Sequence, residues 1–224
     1  MRIDAHHHFW RYNPQEYAWI GTAMRSIQRD FLIEDLVPHL APCGIEGTVP
    51  VQARQKVEET EWLLRLAEEN DFIKGVVGWV PLTAPGLEEY LGCFSDNGKL
   101  KGVRHVLHDE PDDDYMLRDD FNNGIRELTR LGLTYDILIF EKHLPQTIRF
   151  VDRHPAQVFV LDHVAKPKIY AGELSPWREN IQKIAERENV YCKLSGLVTE
   201  AHFDTWHPDQ LRPYVEVVLE AFGP

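Results

Sequence analysis

Residues 1–10, MRIDAHHHFW, join a short predicted strand to a run of three histidines. Because successive side chains of a strand point to opposite faces, His6 and His8 are expected on one face and His7 on the other. The two imidazoles then lie ~7 Å apart along the strand, and neutral imidazole is the commonest metal ligand in proteins. Ile3 is expected to face the core. Because barrel active sites lie at the carboxyl ends of strands, we interpret His6 and His8 as half of a metal or substrate site. The alternatives are a solvated histidine loop and core histidines satisfied by hydrogen bonds.

Beyond this strand the chain alternates predicted strands and predicted helices. Strands are predicted at residues 45–52, 73–80, 100–107, 134–140, 157–163 and 190–194, and helices at residues 31–42, 56–70, 87–94, 117–131, 144–151, 177–185 and 211–222. Strict alternation implies a parallel sheet with helices outside it. No strand-to-helix turn carries the G-x-G-x-x-G of the dinucleotide fold. The pattern therefore favours a (β/α)₈ barrel over a doubly wound sheet. The first of these helices is expected to be interrupted at Pro38.

The length of 224 residues predicts one α/β domain over residues 1–224. The sequence ends at Phe222-Gly223-Pro224, where the eighth strand of a barrel is expected to begin. We therefore expect the barrel domain to be C-terminally incomplete.

The net charge of −12 argues against partners that are bound through positive charge, namely nucleic acid and anionic membranes. Cys43, Cys93 and Cys192 are far apart and show no C-x-x-C spacing, so neither a disulfide framework nor a cysteine zinc site is predicted. The first residues are polar where a signal peptide needs an apolar core, and no apolar run reaches the length of a membrane span. We expect a cytoplasmic protein with a small-molecule partner, and a homo-oligomer stays open.

Polar residues at the carboxyl ends of parallel strands converge on one pocket of a barrel. The candidates at these positions are His6, His8, Gln52, Trp79, Arg104, His105, Tyr135, Asp136, Asp162, His163, Lys193 and Ser195. Of these, His163 closes an apolar run and is expected to face His6 and His8 as a third metal ligand. Gln52 and Arg104 are candidate substrate-binding residues because both lie at strand ends. The guanidinium of Arg104 also offers a fork of hydrogen-bond donors. The alternative for Arg104 is an ion pair with a nearby acid such as Asp109 or Glu110, and the acidic run 108–114 is predicted as a solvated loop.

Four stretches resemble one known family: DAHHHFW at residues 4–10, VRHVLHDEPDDDYMLRDDF at 103–121, VFVLDHVAKP at 158–167 and CKLSGLVTEA at 192–201. The chain resembles the amidohydrolase superfamily, in the branch that contains L-fuconolactonases, L-rhamnonolactonases and related lactone hydrolases. The resemblance implies a distorted (β/α)₈ barrel that opens a lactone with water. It matches His6, His8 and His163 to the family's histidine cluster, and Arg104 and Tyr135 to positions that hold polar groups of the substrate.

The resemblance also bears on the metal and on the general base. Some members of the branch bind one zinc ion and others work without metal, so one divalent ion, Zn²⁺, is expected as the possible cofactor. The fifth-strand segment TYDILIF at residues 134–140 has no lysine to bridge two metals. The family's general base is an eighth-strand aspartate, which would lie beyond Pro224. Asp136 and Asp162 are not interpreted as substitutes, because each neighbours a residue that points to the other face.

The function expected from the resemblance is hydrolysis of a sugar lactone, such as L-fucono-1,5-lactone, to the sugar acid. Two alternatives are kept beside it. One is a metal-dependent decarboxylase of the same superfamily, and the other is a non-catalytic metal-binding or scaffold protein.

Overall fold

The computed structural model describes residues 1–94, 97–202 and 204–223. The chain falls into two compact units, which are described separately. Unit 1 comprises Met1–Pro81 and Gly86–Arg104, and unit 2 comprises Leu82–Pro85 and His105–Pro224. Pro224, after which the eighth strand is expected, lies outside the described residues. The single domain over 1–224 stays a prediction.

Unit 1 alternates strands and helices. Its elements are β1 (Ile3–His7), α1 (Ile33–Leu40), β2 (Gly47–Pro50), α2 (Val57–Glu69), β3 (Val76–Gly78), α3 (Leu87–Phe94) and β4 (Leu100–Val106), whose last two residues belong to unit 2. β1 pairs with β2 and β3 with β4, both in parallel. Between them, single parallel bridges join Thr48 to Ile73 and Val51 to Val77. Parallel pairing brings the carboxyl ends of these strands, and the residues that follow them, to the same side.

Unit 2 continues the alternation. Its elements are α4 (Asp119–Leu131), β5 (Thr134–Leu138), α5 (Leu144–Asp152), β6 (Phe159–Leu161), α6 (Trp177–Ala185), β7 (Val190–Cys192) and α7 (Pro208–Phe222). β6 lies between β5 and β7 and pairs with both in parallel. Leu161, the last residue of β6, is in register with Ile137 of β5 and Cys192 of β7. The loops after these three strands therefore begin at one level, which is the level of the candidate site residues.

The core of unit 2 is built from large side chains that alternate along the strands and repeat along the helices. Phe121 of α4, Tyr135 of β5, Phe150 of α5 and Phe159 of β6 are all completely buried. Their ring centroids lie 5.2–6.3 Å apart, the range in which edge-to-face pairs are favourable. This aromatic cluster packs α4 and α5 against β5 and β6.

The predicted alternation of parallel strands and helices is confirmed, and two local predictions are wrong. Ile3 is 42% exposed rather than core-facing. Pro38 lies inside α1 without ending it, since Ile33–Leu40 forms one helix. Pro38 is the sixth residue of a helix of only eight residues. The helix therefore lacks one backbone hydrogen bond near its end and is not interrupted.

Most strands are shorter than the apolar runs that predict them. The regular hydrogen-bonded pairing with neighbouring strands covers only part of each apolar run. The run at 73–80 forms a strand over Val76–Gly78, with Ile73 in a separate bridge to Thr48, and the run at 157–163 forms a strand over Phe159–Leu161. No helix among the described residues is both long enough and apolar enough to cross a bilayer.

Candidate active site

The histidine pair of β1 is the centre of the candidate site in unit 1. His6 and His8 share one face of the strand, as alternation predicts, and their Nε2 atoms lie 3.3 Å apart, closer than the ~7 Å between the two positions along the strand. The Nδ1 atom of His8 lies 2.8 Å from the carbonyl oxygen of Val51. Because a carbonyl oxygen only accepts, Nδ1 of His8 carries the proton and Nε2 carries the lone pair.

The donor set of this pair fits a divalent ion that prefers nitrogen. A zinc ion bound tetrahedrally at about 2.0–2.1 Å from each nitrogen places the two nitrogens about 3.3–3.4 Å apart. The observed separation of the His6 and His8 Nε2 atoms is 3.3 Å. Arg104 Nη1 lies 3.3 Å from Nε2 of His6, and a guanidinium only donates, so the single lone pair of this nitrogen accepts from Arg104 and would bind an ion in place of that hydrogen bond. A cation bound between the Nε2 atoms of His6 and His8 would remove the repulsion between their lone pairs.

Arg104 is held beside the histidines by contacts to β2. Its side chain is buried, and its Nη2 donates to the backbone oxygen of Gln52. The Gln52 amide in turn donates from Nε2 to the backbone oxygen of Arg104, over 3.3 Å. Gln52 is completely buried; its backbone oxygen orients the guanidinium, and its side-chain amide is bound to the Arg104 backbone. The acids expected as alternative partners of Arg104 accept from other side chains, Glu110 from His105 at 2.6 Å and Asp109 from His108 at 2.8 Å.

His7 occupies the opposite face of β1, as expected. Its ring packs edge-on against Phe9 with a centroid distance of 4.7 Å. Burial lowers the pKa of His7 to about 4, although the nearby Asp4 carboxylate opposes the shift. His7 is therefore neutral at pH 7 and belongs to the packing of unit 1 rather than to the His6–His8 pair.

In unit 2, His163 follows β6 in an unusual backbone conformation. The four consecutive residues His163, Val164, Ala165 and Lys166 all have positive φ, between 49° and 58°. We call residues 163–166 the left-handed turn. Side chains other than glycine rarely adopt this conformation, and a run of four is costly. Nδ1 of His163 lies 2.9 Å from the hydroxyl oxygen of Ser195, in the loop after β7.

Three charged side chains meet beside this turn. Lys193, after β7, contacts the carboxylates of Asp136 and Asp162, with its Nζ 3.0 Å from Oδ1 of Asp162. Both carboxylates are buried, so the shared ammonium offsets much of the cost of removing them from water. Burial, reinforced by the Asp162 carboxylate, raises the pKa of Cys192 to about 12, which keeps this thiol protonated. The strand pattern places Lys193 at a strand end but does not reveal its two partners.

Tyr135 differs from the other candidates. Its side chain is completely buried and lies in the aromatic core of unit 2 with Phe121, Phe150 and Phe159. Asp136, the next residue of β5, points the other way, towards Lys193. This environment favours a packing role for Tyr135, and its contact with substrate stays a prediction.

The acidic run at residues 108–114, which follows β4, forms hydrogen bonds and ion pairs with residues at and just before α5. Asp113 lies 2.7 Å from Nζ of Lys142 and 3.0 Å from Nε2 of His143, and Asp114 lies 3.0 Å from Nη2 of Arg149. The hydrogen bonds from Lys142 and His143 lower the pKa of Asp113 below its usual value. His143, to which the sequence pattern assigns no role, is thus a buried partner of this loop.

The structure brings the predicted site residues together in two groups. His6, His8, Gln52 and Arg104 contact one another in unit 1, and His163 lies with Ser195 in unit 2. The convergence of His163 with the His6–His8 pair stays a prediction, and so does the general base expected beyond Pro224.

Comparisons with known proteins give a consistent result. Residues 3–224 match the family model described as "Amidohydrolase". The chain is 39% identical over 237 residues to the L-fucono-1,5-lactonase of Burkholderia multivorans (strain ATCC 17616 / 249), covering 100% of the chain and 79% of that protein. It is 38% identical over 225 residues to the L-fucono-1,5-lactonase of Burkholderia ambifaria, covering 100% of the chain and 77% of that protein.

The fold also matches solved structures. A crystal structure of an amidohydrolase from Burkholderia multivorans with bound zinc superposes with a TM-score of 0.96 at 39% identity, over 100% of the chain and 81% of that protein. An amidohydrolase 2 from Bifidobacterium longum subsp. infantis has a TM-score of 0.70 at 23% identity, over 100% of the chain and 80% of that protein, and supports the fold alone.

Proposed function

Because this chain belongs to the amidohydrolase family, we propose that it is a hydrolase that opens a sugar lactone with water, of the class of L-fucono-1,5-lactone. The observation that carries the proposal is the arrangement of His6, His8 and Arg104 in a chain 39% identical over its whole length to an L-fucono-1,5-lactonase. A polarising cluster beside a fixed guanidinium suits attack on a carbonyl carbon.

The proposed cofactor is one divalent ion, Zn²⁺, held by His6, His8 and His163. The separation of the first two Nε2 atoms and the imidazole donor set support it, as does the bound zinc of the similar Burkholderia multivorans structure. When bound, such an ion polarises a carbonyl oxygen and lowers the pKa of water.

The residues of the chain supply orientation and charge for the reaction. Water adds to the lactone carbonyl carbon, the bond from that carbon to the ring oxygen breaks, and the ring oxygen takes a proton to give the hydroxy acid. Arg104 donates hydrogen bonds to a substrate oxygen next to His6, and its own position is set by Gln52. Such preorganised donors stabilise the negative charge that develops on oxygen. The family resemblance matches Tyr135 to a position that holds the substrate, but its burial in the aromatic core leaves it without a role in this step. The resemblance also implies an eighth-strand aspartate as the proton acceptor for water.

The test is direct titration of acid release. Purified protein, chelated and then reloaded with Zn²⁺, is assayed by pH-stat with L-fucono-1,5-lactone, and the expected result is one proton released for each lactone opened. The His6→Ala variant is expected to lose this activity, whereas His39→Ala, which changes an exposed histidine of α1, is expected to retain it.

Two outcomes would contradict the proposal. Release of CO₂ from aromatic acids without lactone turnover would favour the decarboxylase. Zinc binding with neither reaction would favour a non-catalytic metal-binding protein.

The remaining expectations concern partners and location. The net charge of −12 supports a small-molecule partner over nucleic acid or an anionic membrane. A cytoplasmic location and a homo-oligomeric state stay predictions.

A further inference from the structure

The left-handed turn at residues 163–166 is held by contacts from two later segments. Trp177, at the start of α6, donates from its indole Nε1 to the carbonyl oxygen of Val164 over 2.8 Å. Lys166, the last residue of the turn, places its ammonium 2.9 Å from Glu200. These contacts offset the cost of positive φ at residues that carry a Cβ atom. The turn thus sets where the His163 side chain leaves the backbone.

The ring of His163 is then fixed by two consecutive residues after β7. The hydroxyl oxygen of Ser195 lies 2.9 Å from Nδ1 of His163. A Cβ atom on Gly196 would lie 2.8 Å from Cβ and Cγ of His163 and 2.9 Å from Nδ1. Gly196 also has a φ of +68°, which side chains rarely adopt. Glycine at 196 therefore allows the loop to pass directly against one side of the imidazole.

We propose that Ser195 and Gly196 are positioning residues for His163. Ser195 accepts from Nδ1–H of His163, which leaves Nε2 as the lone-pair nitrogen, and Gly196 fixes the plane of the ring. The inference rests on the proposed function for the place of His163 in the site. It parallels His8, whose Nδ1 donates to the carbonyl oxygen of Val51.

The arrangement has a clear consequence for a metal ion. Histidine ligands present one nitrogen to the ion while the other ring N–H is held by an outer partner, and loss of that partner typically weakens metal affinity 10–100-fold. A hydroxyl can also donate, in which case Nδ1 of His163 would carry the lone pair and Nε2 the proton. The two tautomers can be distinguished by experiment.

The first test reads the tautomer in the metal-free protein. Long-range ¹H–¹⁵N correlation spectra of ¹⁵N-histidine-labelled protein are recorded at about pH 8, above the usual histidine pKa of about 6.5, and His163 is assigned with the His163→Gln variant. The expected result is a proton on Nδ1 in the parent protein, a mixture of tautomers in Ser195→Ala, and recovery of the parent spectrum in Ser195→Thr. A proton on Nε2 of His163 in the parent protein would overturn the proposal.

The second test isolates the contact of Gly196. Gly196→Ala is compared with Gly172→Ala, because Gly172 has a φ of +67° but a Cβ atom there would meet nothing within 4 Å. Both substitutions strain the backbone equally, and only Gly196→Ala is expected to move the His163 ring signals. Equal spectra for the two variants would show that Gly196 does not orient the ring.

Zinc affinity separates this inference from the proposed function. The dissociation constant for Zn²⁺, measured by competition with a chromophoric chelator, is expected to rise 10–100-fold in Ser195→Ala and to change little in Ser195→Thr and Gly172→Ala. If the parent protein binds zinc and shows the Nδ1–H tautomer but opens no lactone, the proposed function fails while the positioning role stands. Unchanged zinc affinity in Ser195→Ala would contradict the positioning role.

Discussion

Arg104 is the residue whose surroundings connect packing with chemistry most directly. Its guanidinium is buried, bound to the backbone of Gln52 and aimed at Nε2 of His6. A planar fork can serve both contacts at once, whereas an ammonium is a single point of charge on a flexible stem. The identity of this side chain, and not only its charge, therefore matters.

The first prediction follows for Arg104→Lys. Because lysine cannot keep the Gln52 contact and still donate beside His6, kcat/KM for L-fucono-1,5-lactone is expected to fall on the order of 10²-fold. Arg126→Lys, an exposed substitution on α4, is the matched control and is expected to leave kcat/KM unaltered. Full activity in Arg104→Lys would remove Arg104 from the site.

The second prediction concerns Tyr135→Phe, which removes one hydroxyl from the aromatic core of unit 2. Because the ring lies among Phe121, Phe150 and Phe159, we expect kcat/KM to stay within about threefold of the parent value, as most changes away from reacting atoms do. A loss of two orders of magnitude in lactone hydrolysis would instead support the substrate contact that the family resemblance implies.

The third prediction concerns the buried His154. Its Nε2 lies 2.7 Å from Oδ1 of Asn122, and the Asn122 amide nitrogen already donates to two backbone carbonyls, so Nε2 of His154 is the donor. Burial lowers its pKa to about 4, with Arg126 and Arg153 adding to the shift. Between about pH 6.5 and pH 4 the unfolded chain binds a proton that the folded chain does not, so the free energy of unfolding falls as the pH falls.

Urea denaturation at pH 7.5 and pH 4.5 measures this effect. The parent protein is expected to lose on the order of 2 kcal/mol more than His154→Gln over this interval. Glutamine keeps a donor for Asn122 but does not titrate. Equal losses in the two proteins would show that His154 does not contribute to acid sensitivity.

At the scale of single residues, the sequence predicted which side chains share one face of a strand. It did not predict the contacts between residues that are far apart in the chain. The shared face of His6 and His8 follows from the two-residue period of a strand. The bond between Arg104 and Gln52 joins residues 52 positions apart, and that between His163 and Ser195 joins residues 32 positions apart. Such contacts depend on how strands align, which no local pattern specifies.

At the scale of elements, α4 packs closely against the backbone of the loop at Leu82. A Cβ atom on Gly124, in the middle of α4, would lie 2.4 Å from the backbone oxygen of Leu82. The helix ends in Gly132, whose φ of +69° suits the left-handed cap that glycine adopts without strain. The first glycine is therefore required by packing and the second by the backbone.

The fourth prediction compares two glycines within helices. In α3, a Cβ atom on Gly92 would meet nothing within 4 Å, so Gly92→Ala is expected to stabilise the protein by about 0.5–1 kcal/mol through helix propensity. Gly124→Ala gains the same propensity but collides with backbone that cannot move like a side chain, and is expected to be destabilising by about 1–3 kcal/mol. Thermal melting of both variants measures the difference, and stabilisation by Gly124→Ala would contradict the packing described for α4.

The elements themselves were largely predictable, because apolar residues repeat every two positions in the strands and every three to four in the helices. Phe121, Ile125 and Leu128 form such a stripe on α4, and all three are buried. The left-handed turn was not predictable. Its sequence, HVAK, has no glycine, and tertiary contacts impose a conformation that these residues disfavour on their own.

At the scale of the whole molecule, binding of an ion by the folded chain alone stabilises that chain. A ligand at 100 times its dissociation constant adds about 2.7 kcal/mol, and about 2–4 °C per kcal/mol is typical for proteins of 150–250 residues. The fifth prediction is therefore that saturating Zn²⁺ raises the thermal midpoint of the chelated protein by about 5–10 °C.

Matched histidine variants show whether the zinc-induced shift of the thermal midpoint arises at His6 and His8. The double variant His6→Ala/His8→Ala is expected to lose the shift, and His202→Ala, which changes an exposed histidine, is expected to keep it. Mg²⁺, which prefers oxygen ligands, is expected to produce no shift in any of these proteins. A zinc-induced shift that survives in the double variant would place the ion elsewhere.

The left-handed turn has a further consequence when the protein is made on the ribosome. Each of its four residues disfavours this backbone by roughly 1–2 kcal/mol, and the groups that hold it, Trp177 and Glu200, follow it in the chain. His6 and His8 emerge early, as part of one strand. We therefore expect His163 to reach its final place only after the loop that follows β7 has been synthesised, so that the two histidines of β1 are in position before the third proposed ligand.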